Sequence, residues 1–333
     1  MKVSVIVNPR AGSAKMDIIE GKIADALFRC TLRFHFCGDR NSLDEFVASE
    51  IKSNTDAFLI CGGDGTINST LQFLMKNKIK NKELPPICLV SSGTANDLAH
   101  EMELSHRIDE AARLILEGKE KRIDLIEVES KNEKKYMLTN GGMGIPAIAA
   151  DQANHFRSLV EMFVQSEQLP KVGRKLGRLL HGSIKKAGTL IYSSTLLNTL
   201  KNWDSRNWEL EVAIPGRATF MTQAPFLLVN NQPMIGKNFL TSPYTSHNDG
   251  LINLLLIESK TLLSQLEKIA RVLTGSLREN SQVKSFEVSE FKIRTKNQNR
   301  KITFFGDGEI LFRDVEEVNV RCLRRSIGIM ARE

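Results

Sequence analysis

Residues 58–68 read FLICGGDGTIN, and this stretch decides the fold of the first part of the chain. Its apolar opening is typical of a strand buried on both faces, and residues 69–76 follow helical periodicity. Three glycines lie where the strand gives way to the helix, so backbone N–H groups can come close to a phosphate there. The stretch therefore predicts an anion-binding loop at a strand end and a helix start.

Four apolar runs typical of buried strands occur in the first third of the chain, at residues 3–7, 32–36, 57–61 and 87–90. A segment with helical periodicity follows each run, and such repeated strand-helix units predict a parallel sheet with helices on both sides. Ligands of these sheets bind at the carboxyl ends of the strands. The glycine clusters of this region all fall at such ends.

After Arg122 the pattern changes to alternation of apolar and polar residues, which is typical of half-buried antiparallel strands. Asp307-Gly308, between two apolar runs, predicts a tight hairpin. The sequence thus predicts an α/β domain with a parallel sheet, followed by a mostly β domain.

The composition of the chain restricts the classes of function and partner that are expected. The 333 residues are enough for about two domains. The 46 basic and 39 acidic residues leave a net charge of +7, which favours anionic partners without choosing among nucleotides, nucleic acid and acidic lipids. Five cysteines without CxxC spacing argue against a disulfide framework or structural zinc and suit a cytoplasmic protein. With 3 Tyr, 2 Trp and no recognition motif, no nucleic-acid partner is expected.

A second glycine-containing loop, SGTANDL at residues 92–98, follows the next predicted strand. One glycine-rich turn can simply be a tight connection, but two at one sheet edge favour a ligand site. Asp64 and Asp97 would repel a triphosphate in these loops unless a cation joined it. Magnesium and a nucleotide are therefore expected together.

The ordered set of motifs resembles the catalytic family of diacylglycerol kinases, which includes bacterial soluble lipid kinases, sphingosine kinases and ceramide kinases. The resemblance is carried by GGDGT at 62–66, GTAND at 93–97, NPRAGS at 8–13, NGGMG at 140–144, the segment 243–250 and DGE at 307–309. The first motif alone is shared with NAD kinases and phosphofructokinases, whereas the ordered set is far more specific. The likeness extends almost from end to end of the chain.

The resemblance implies a Rossmann-like α/β domain and an antiparallel β-sandwich with a helical insertion. The nucleotide-binding domain would span residues 1–122 and be completed by residues 324–333, to which the final strands return. The lipid-substrate domain would span residues 123–323. The segment 151–186 matches no family motif.

The resemblance also assigns roles to individual residues. Glu309 matches the proton acceptor, and Asp64 and Asp97 would hold the catalytic magnesium ion. Contacts with ATP are implied for Asn8, Gly62, Gly63, Asp64, Gly65, Thr66, Ile67, Asn68 and Thr94. A second, structural magnesium ion would be bound at Ser246, Asp249 and Leu251.

Residues 171–186 form a basic amphipathic pattern, with apolar residues at four-residue steps and lysines and arginines between them. Such a helix can lie on an anionic membrane or pack its apolar stripe on the second domain. The sequence leaves both readings open. No apolar run is long enough for a membrane span, so the expected location is the cytoplasm, with peripheral contact at anionic membranes.

The expected activity is ATP-dependent phosphorylation of a lipid hydroxyl, with diacylglycerol as the leading substrate and a sphingoid base, ceramide or phosphatidylglycerol behind it. One alternative is an NAD kinase, but that family carries an Asn-Glu pair where this chain has Asn96-Asp97. Another is a catalytically silent module that senses lipid or nucleotide, against which the intact set of Asp64, Asp97 and Glu309 argues. A homodimer is left open.

Overall fold

The computed structural model describes residues 1–9, 16–38, 40–80, 82–92, 96–147, 209–224, 226–235, 239–240, 245–258, 283–297 and 300–332. Thr94, the segment 151–186 that was predicted to be helical and its basic stretch 171–186 lie outside the described residues. Within the described ranges, no helix has the length and apolar character needed to cross a membrane.

The first domain is built on a parallel sheet. Its strands are β1 (Lys2–Val7), β2 (Thr31–Phe36), β3 (Ala57–Gly62) and β4 (Ile87–Ser91). Its helices are α1 (Met16–Ala26), α2 (Arg40–Lys52), α3 (Asp64–Lys76), α4 (Asp97–Glu101) and α5 (Ile108–Glu117). The strand order is β2-β1-β3-β4, and all three pairings are parallel. The predicted parallel α/β domain is confirmed.

The central strands are apolar throughout because both faces of the sheet are covered. Along β3, Phe58 and Ile60 pack in one core cluster with Leu71 of α3. Leu59, between them, packs on the opposite face with Ile115 of α5. The alternation of neighbours along one strand explains why its sequence reads as a continuous hydrophobic run.

The second domain consists of antiparallel strands. They are β5 (Lys119–Ser130), β6 (Glu133–Met137), β7 (Asn140–Gly144), β8 (Leu210–Ala213), β9 (Phe220–Thr222), β10 (Phe226–Asn230), β11 (Met234–Ile235), β12 (Phe239–Leu240), β13 (Ile252–Ile257), β14 (Val283–Val288), β15 (Glu290–Thr295), β16 (Ile302–Gly306), β17 (Glu309–Val315) and β18 (Glu317–Ala331). One sheet has the order β14-β13-β10-β7-β16-β17. It packs on β5, β8, β15 and β18 through a shared apolar core that includes Val128, Leu254, Phe304 and Val320. The predicted β-sandwich is confirmed.

Two long strands join the domains. β5 and β18 pair antiparallel from Asn319↔Glu129 to Ala331↔Lys119, and Ile329 of β18 also pairs in parallel with Ile87 of β4. The end of the chain thus lies in the sheet of the first domain. The domain change expected after Arg122 falls inside β5, because the alternation pattern reports which side chains are buried and not where a backbone ladder ends.

Candidate active site

The loop that links β3 to α3 is shaped by close packing. Gly63 caps the thirteen-residue helix without a side-chain hydrogen bond, and its carbonyl accepts from the N–H groups of Thr66 (2.9 Å) and Ile67 (3.1 Å). A Cβ on Gly62 would lie 2.6 Å from Oγ1 of Thr66, so only glycine fits there. The loop therefore presents the positive end of α3 at the carboxyl edge of the sheet.

Hydrogen bonds tie three strand ends together at this edge. Nδ2 of Asn8 donates to Oγ1 of Thr66 at 2.8 Å, and its backbone N–H donates to the carbonyl of Cys61 at 2.9 Å. The N–H of Ser92, just after β4, donates to the carbonyl of Gly62 at 3.0 Å. The predicted ATP contacts Asn8, Gly62, Gly63, Gly65 and Thr66 thus lie at one place, and Thr94 is outside the described residues.

Two of the predicted ATP contacts point elsewhere. Ile67 is buried in the core of the first domain. Asn68 is also buried, and its Nδ2 donates to the carbonyl of Tyr136 (3.2 Å) and to Oδ2 of Asp307 (2.9 Å). These side chains serve the core and the contact between domains, because the helix turns them away from the loop. Spacing from the motif alone did not reveal this direction.

Asp64 and Asp97 lie close together at the loop. The carboxylate of Asp64 accepts from the backbone N–H groups of Asn96 (2.8 Å) and Asp97 (3.1 Å), which joins the two predicted loops. Burial, followed by the negative charges of Asp97 and then Asp307, raises the pKa of Asp64 to about 6, although both backbone hydrogen bonds oppose the shift. Asp64 is thus an acid whose ionisation is disfavoured by its surroundings.

This concentration of negative charge fits a divalent cation. A bound cation would remove the repulsion between Asp64 and Asp97 and would bring these hard oxygen ligands into use. The described residues contain no group of three or more His, Cys, Asp and Glu side chains arranged for a metal ion. Phosphate oxygens and water would therefore supply the other ligands.

Glu309 reaches the loop from the second domain. It opens β17 opposite Gly306, after a two-residue turn in which Asp307 and Gly308 have φ angles of +52° and +78°. These angles match the type I′ turn predicted from the Asp-Gly pair. A Cβ placed on Gly65 would lie only 3.1 Å from Oε1 of Glu309. The predicted proton acceptor therefore faces the predicted phosphate loop.

The sequence analysis did not identify the contacts that hold α3 against the second domain. Gln72 donates from Nε2 to the carbonyl of Tyr136 (2.7 Å) and accepts the Tyr136 N–H at Oε1 (3.0 Å). Asn68 lies four positions earlier on the same face and contacts Asp307. The two amide side chains four positions apart on α3, Asn68 and Gln72, were the available signal.

The turn predicted to hold the structural magnesium ion, through the main-chain oxygen of Ser246, Asp249 and Leu251, makes hydrogen bonds of its own. Oδ1 of Asp249 already accepts the N–H of Leu251 (2.8 Å), and the Ser246 hydroxyl donates to Asn248 (2.9 Å). A cavity of about 370 Å³ beside the turn is lined by Lys121, Arg122, His247, Asn248 and Arg325. These basic neighbours disfavour a bare cation. Neither hydrogen bond uses the main-chain oxygen of Ser246 or Oδ2 of Asp249, so this site stays a prediction.

The short distance between Gly65 and the Glu309 carboxylate predicts the effect of a substitution at Gly65. Gly65→Ala should lower kcat by about tenfold, because the new methyl group displaces the Glu309 carboxylate from its place against the loop. Stability should stay the same or rise slightly, since alanine favours a helix over glycine by about 1 kcal/mol. Steady-state kinetics and thermal unfolding of the variant test this. Gly21→Ala on α1, where no atom lies within 4 Å of the new Cβ, is the control.

The chain is similar to known proteins in sequence and in fold. Residues 2–128 match the diacylglycerol kinase catalytic domain, and residues 177–325 match the YegS C-terminal NAD kinase beta sandwich-like domain. A protein named diacylglycerol kinase from Mycobacterium tuberculosis is 22% identical over 279 residues, which cover 83% of this chain and 79% of that protein. A putative lipid kinase from Staphylococcus carnosus is 23% identical over 290 residues, covering 86% and 80%. The crystal structure of a putative diacylglycerol kinase from Bacillus anthracis shares the fold, with a TM-score of 0.70 at 18% identity over 99% of this chain and 95% of that chain.

Proposed function

The chain belongs to the diacylglycerol kinase catalytic-domain family and is a lipid kinase, and we propose that it phosphorylates the hydroxyl of diacylglycerol with ATP as donor and Glu309 as proton acceptor. The observation that carries the proposal is the approach of the Glu309 carboxylate to Gly65 in the phosphate loop. An acid from one domain and an anion-binding loop from the other flank the same space. Phosphoryl transfer to an alcohol needs this pair.

The lipid hydroxyl oxygen attacks the γ-phosphorus while its proton passes to the Glu309 carboxylate. The bond from the γ-phosphorus to the bridging oxygen breaks, and ADP leaves with that electron pair. The loop 62–66 and the N-terminus of α3 hold the phosphates in place. Magnesium, held by Asp64 and Asp97, would neutralise charge on the phosphates.

An apolar cluster next to Glu309 supports a substrate with long acyl chains. Phe305 and Ile310 pair with each other on either side of the turn that precedes Glu309. They belong to a cluster on the sheet face opposite the sandwich core, which also contains Ile145, Phe226, Leu228, Leu255 and Ile257. Such a substrate resides in membranes, and membrane contact is one of the two readings that the sequence leaves open for the basic stretch 171–186.

A transfer assay tests the proposal directly. The purified chain is incubated with radiolabelled ATP, magnesium and, in separate reactions, diacylglycerol, sphingosine, ceramide, phosphatidylglycerol or NAD. We expect label in an organic-extractable product with diacylglycerol, and none with Glu309→Gln above background. Label only in NADP, or only with another lipid, would contradict the proposed substrate.

A further inference from the structure

The carboxyl group of Asp307 is saturated with hydrogen-bond donors. Oδ1 accepts from the N–H groups of Leu138 (3.1 Å) and Thr139 (2.8 Å) and from the Thr139 hydroxyl (2.7 Å). Oδ2 accepts from the N–H of Leu138 (2.9 Å) and from Nδ2 of Asn68 (2.9 Å). Every partner donates, so the geometry is built for the ionised carboxylate, although burial raises the pKa of Asp307.

Asp307 and its donors come from three parts of the molecule that must meet for catalysis. Asn68 lies on α3, four positions after Asp64 of the phosphate loop. Leu138 and Thr139 lie between β6 and β7, and Asp307 itself lies in the turn between β16 and β17. One carboxylate thus connects the helix of the first domain with the hairpin of the second.

The same turn fixes the direction of Glu309. Asp307 has a φ angle of +52°, and its N–H donates to the carbonyl of Asn140 at 2.9 Å. Glu309 follows two residues later, as the first residue of β17. A shift of the Asp307 carboxylate would therefore rotate the turn and move the Glu309 side chain away from Gly65.

We propose that Asp307 is a positioning residue, which through its hydrogen bonds with Asn68, Leu138 and Thr139 holds the Glu309 carboxylate against the phosphate loop. The proposal rests on the proposed role of Glu309 as proton acceptor. Asp307 does not itself accept the substrate proton in this proposal, because its two oxygens already accept five hydrogen-bond contacts. The two acids of the Asp-Gly-Glu triplet thus have different roles: Asp307 positions the turn, and Glu309 accepts the proton.

The first test is Asp307→Asn. The amide keeps the size of the side chain but turns one acceptor into a donor, which then faces the donors of Asn68 and Leu138. We expect kcat to fall by roughly 30-fold and KM for ATP to change by less than about threefold, because the hydrogen bonds of the Asp307 carboxylate are with Asn68, Leu138 and Thr139 and not with the loop 62–66. Asn68→Ala removes the hydrogen bonds of Asn68 to Asp307 and Tyr136, leaves those of Asp307 with Leu138 and Thr139, and should lower kcat by about tenfold.

A double-mutant cycle separates positioning from a general loss of structure. If Asp307 acts through Glu309, Asp307→Asn combined with Glu309→Gln should have the kcat of Glu309→Gln within about threefold. If the two acids act independently, their effects multiply and the proposal is wrong. Full activity of Glu309→Gln alone would instead overturn the proposed function, so the two failures are distinguishable.

A reciprocal exchange provides a rescue. Asn68→Asp alone places the carboxylates of residues 68 and 307 against each other. It should be less active than Asp307→Asn alone. Asn68→Asp combined with Asp307→Asn restores one donor and one acceptor across the contact and should recover at least tenfold in kcat over Asn68→Asp. An exchange variant no more active than either single variant would contradict the proposal.

Glu50→Gln is the matched control for loss of a buried carboxylate. Glu50 is fully buried on α2, accepts the Ser4 hydroxyl (2.7 Å) and pairs with Lys2 (3.1 Å) and Arg33 (3.1 Å) at the opposite edge of the sheet. Its variant should unfold at a lower temperature while kcat, measured well below that temperature, stays at the wild-type value. An equal loss of kcat in Glu50→Gln and Asp307→Asn would show that stability alone explains the effect.

Discussion

Glu309→Gln is expected to lower kcat by roughly 100-fold or more, with little change in KM for ATP or in thermal stability. Glutamine keeps the shape of the side chain and its place beside Gly65, but it cannot take a proton from the lipid hydroxyl. Steady-state kinetics with diacylglycerol vesicles provide the measurement.

Glu290→Gln is a suitable control for this variant. Glu290 is the first residue of β15, as Glu309 is of β17, and it is exposed. We expect wild-type kcat from this control. A Glu309→Gln enzyme with full activity would show that another group accepts the proton.

Local sequence signals were sufficient for the parts of the site that local structure determines. The Asp-Gly pair between apolar runs predicted the turn at Asp307 and Gly308, and both residues have the positive φ angles that this turn requires. The apolar run ending at Cys61 predicted β3 to within one residue of its observed end at Gly62. In each case, the residue types themselves restrict the backbone.

Contacts between distant segments could not be predicted in the same way. Asn68 and Asp307 are 239 positions apart, and each has a sufficient local explanation, as a polar helix residue and as a turn residue. Neither residue therefore signals the other. The same reason explains why the change of pattern after Arg122 did not reveal that β5 continues through this point, since its pairing with β18 joins residues some 190 to 210 positions apart.

Asp64→Asn is expected to lower magnesium-dependent kcat by roughly 100-fold and to change how the stability of the ligand-free protein depends on pH. The folded protein raises the pKa of Asp64 from 3.8 to about 6, so it binds this proton more tightly than the unfolded chain does. The resulting stabilisation is complete below pH 3.8 and is lost as the pH rises through 6. The free energy of unfolding of the wild type, relative to Asp64→Asn, should therefore fall by about 2 kcal/mol between pH 4 and pH 7.

Urea denaturation of both proteins at several pH values measures this difference, and the exposed Asp25 on α1 provides the control variant Asp25→Asn. Magnesium added at pH 7 should raise the melting temperature of the wild type more than that of Asp64→Asn, because a cation relieves the repulsion from Asp97 and Asp307. If the free energies of unfolding of wild type and Asp64→Asn changed in parallel with pH, the raised pKa of Asp64 would be contradicted. If the stability curves differ but magnesium has no effect, the acids repel each other without serving as its ligands. If Asp64→Asn loses kcat, the pH dependence of stability and the response to magnesium together, the three losses have one cause. Each of the three depends on the charge of Asp64.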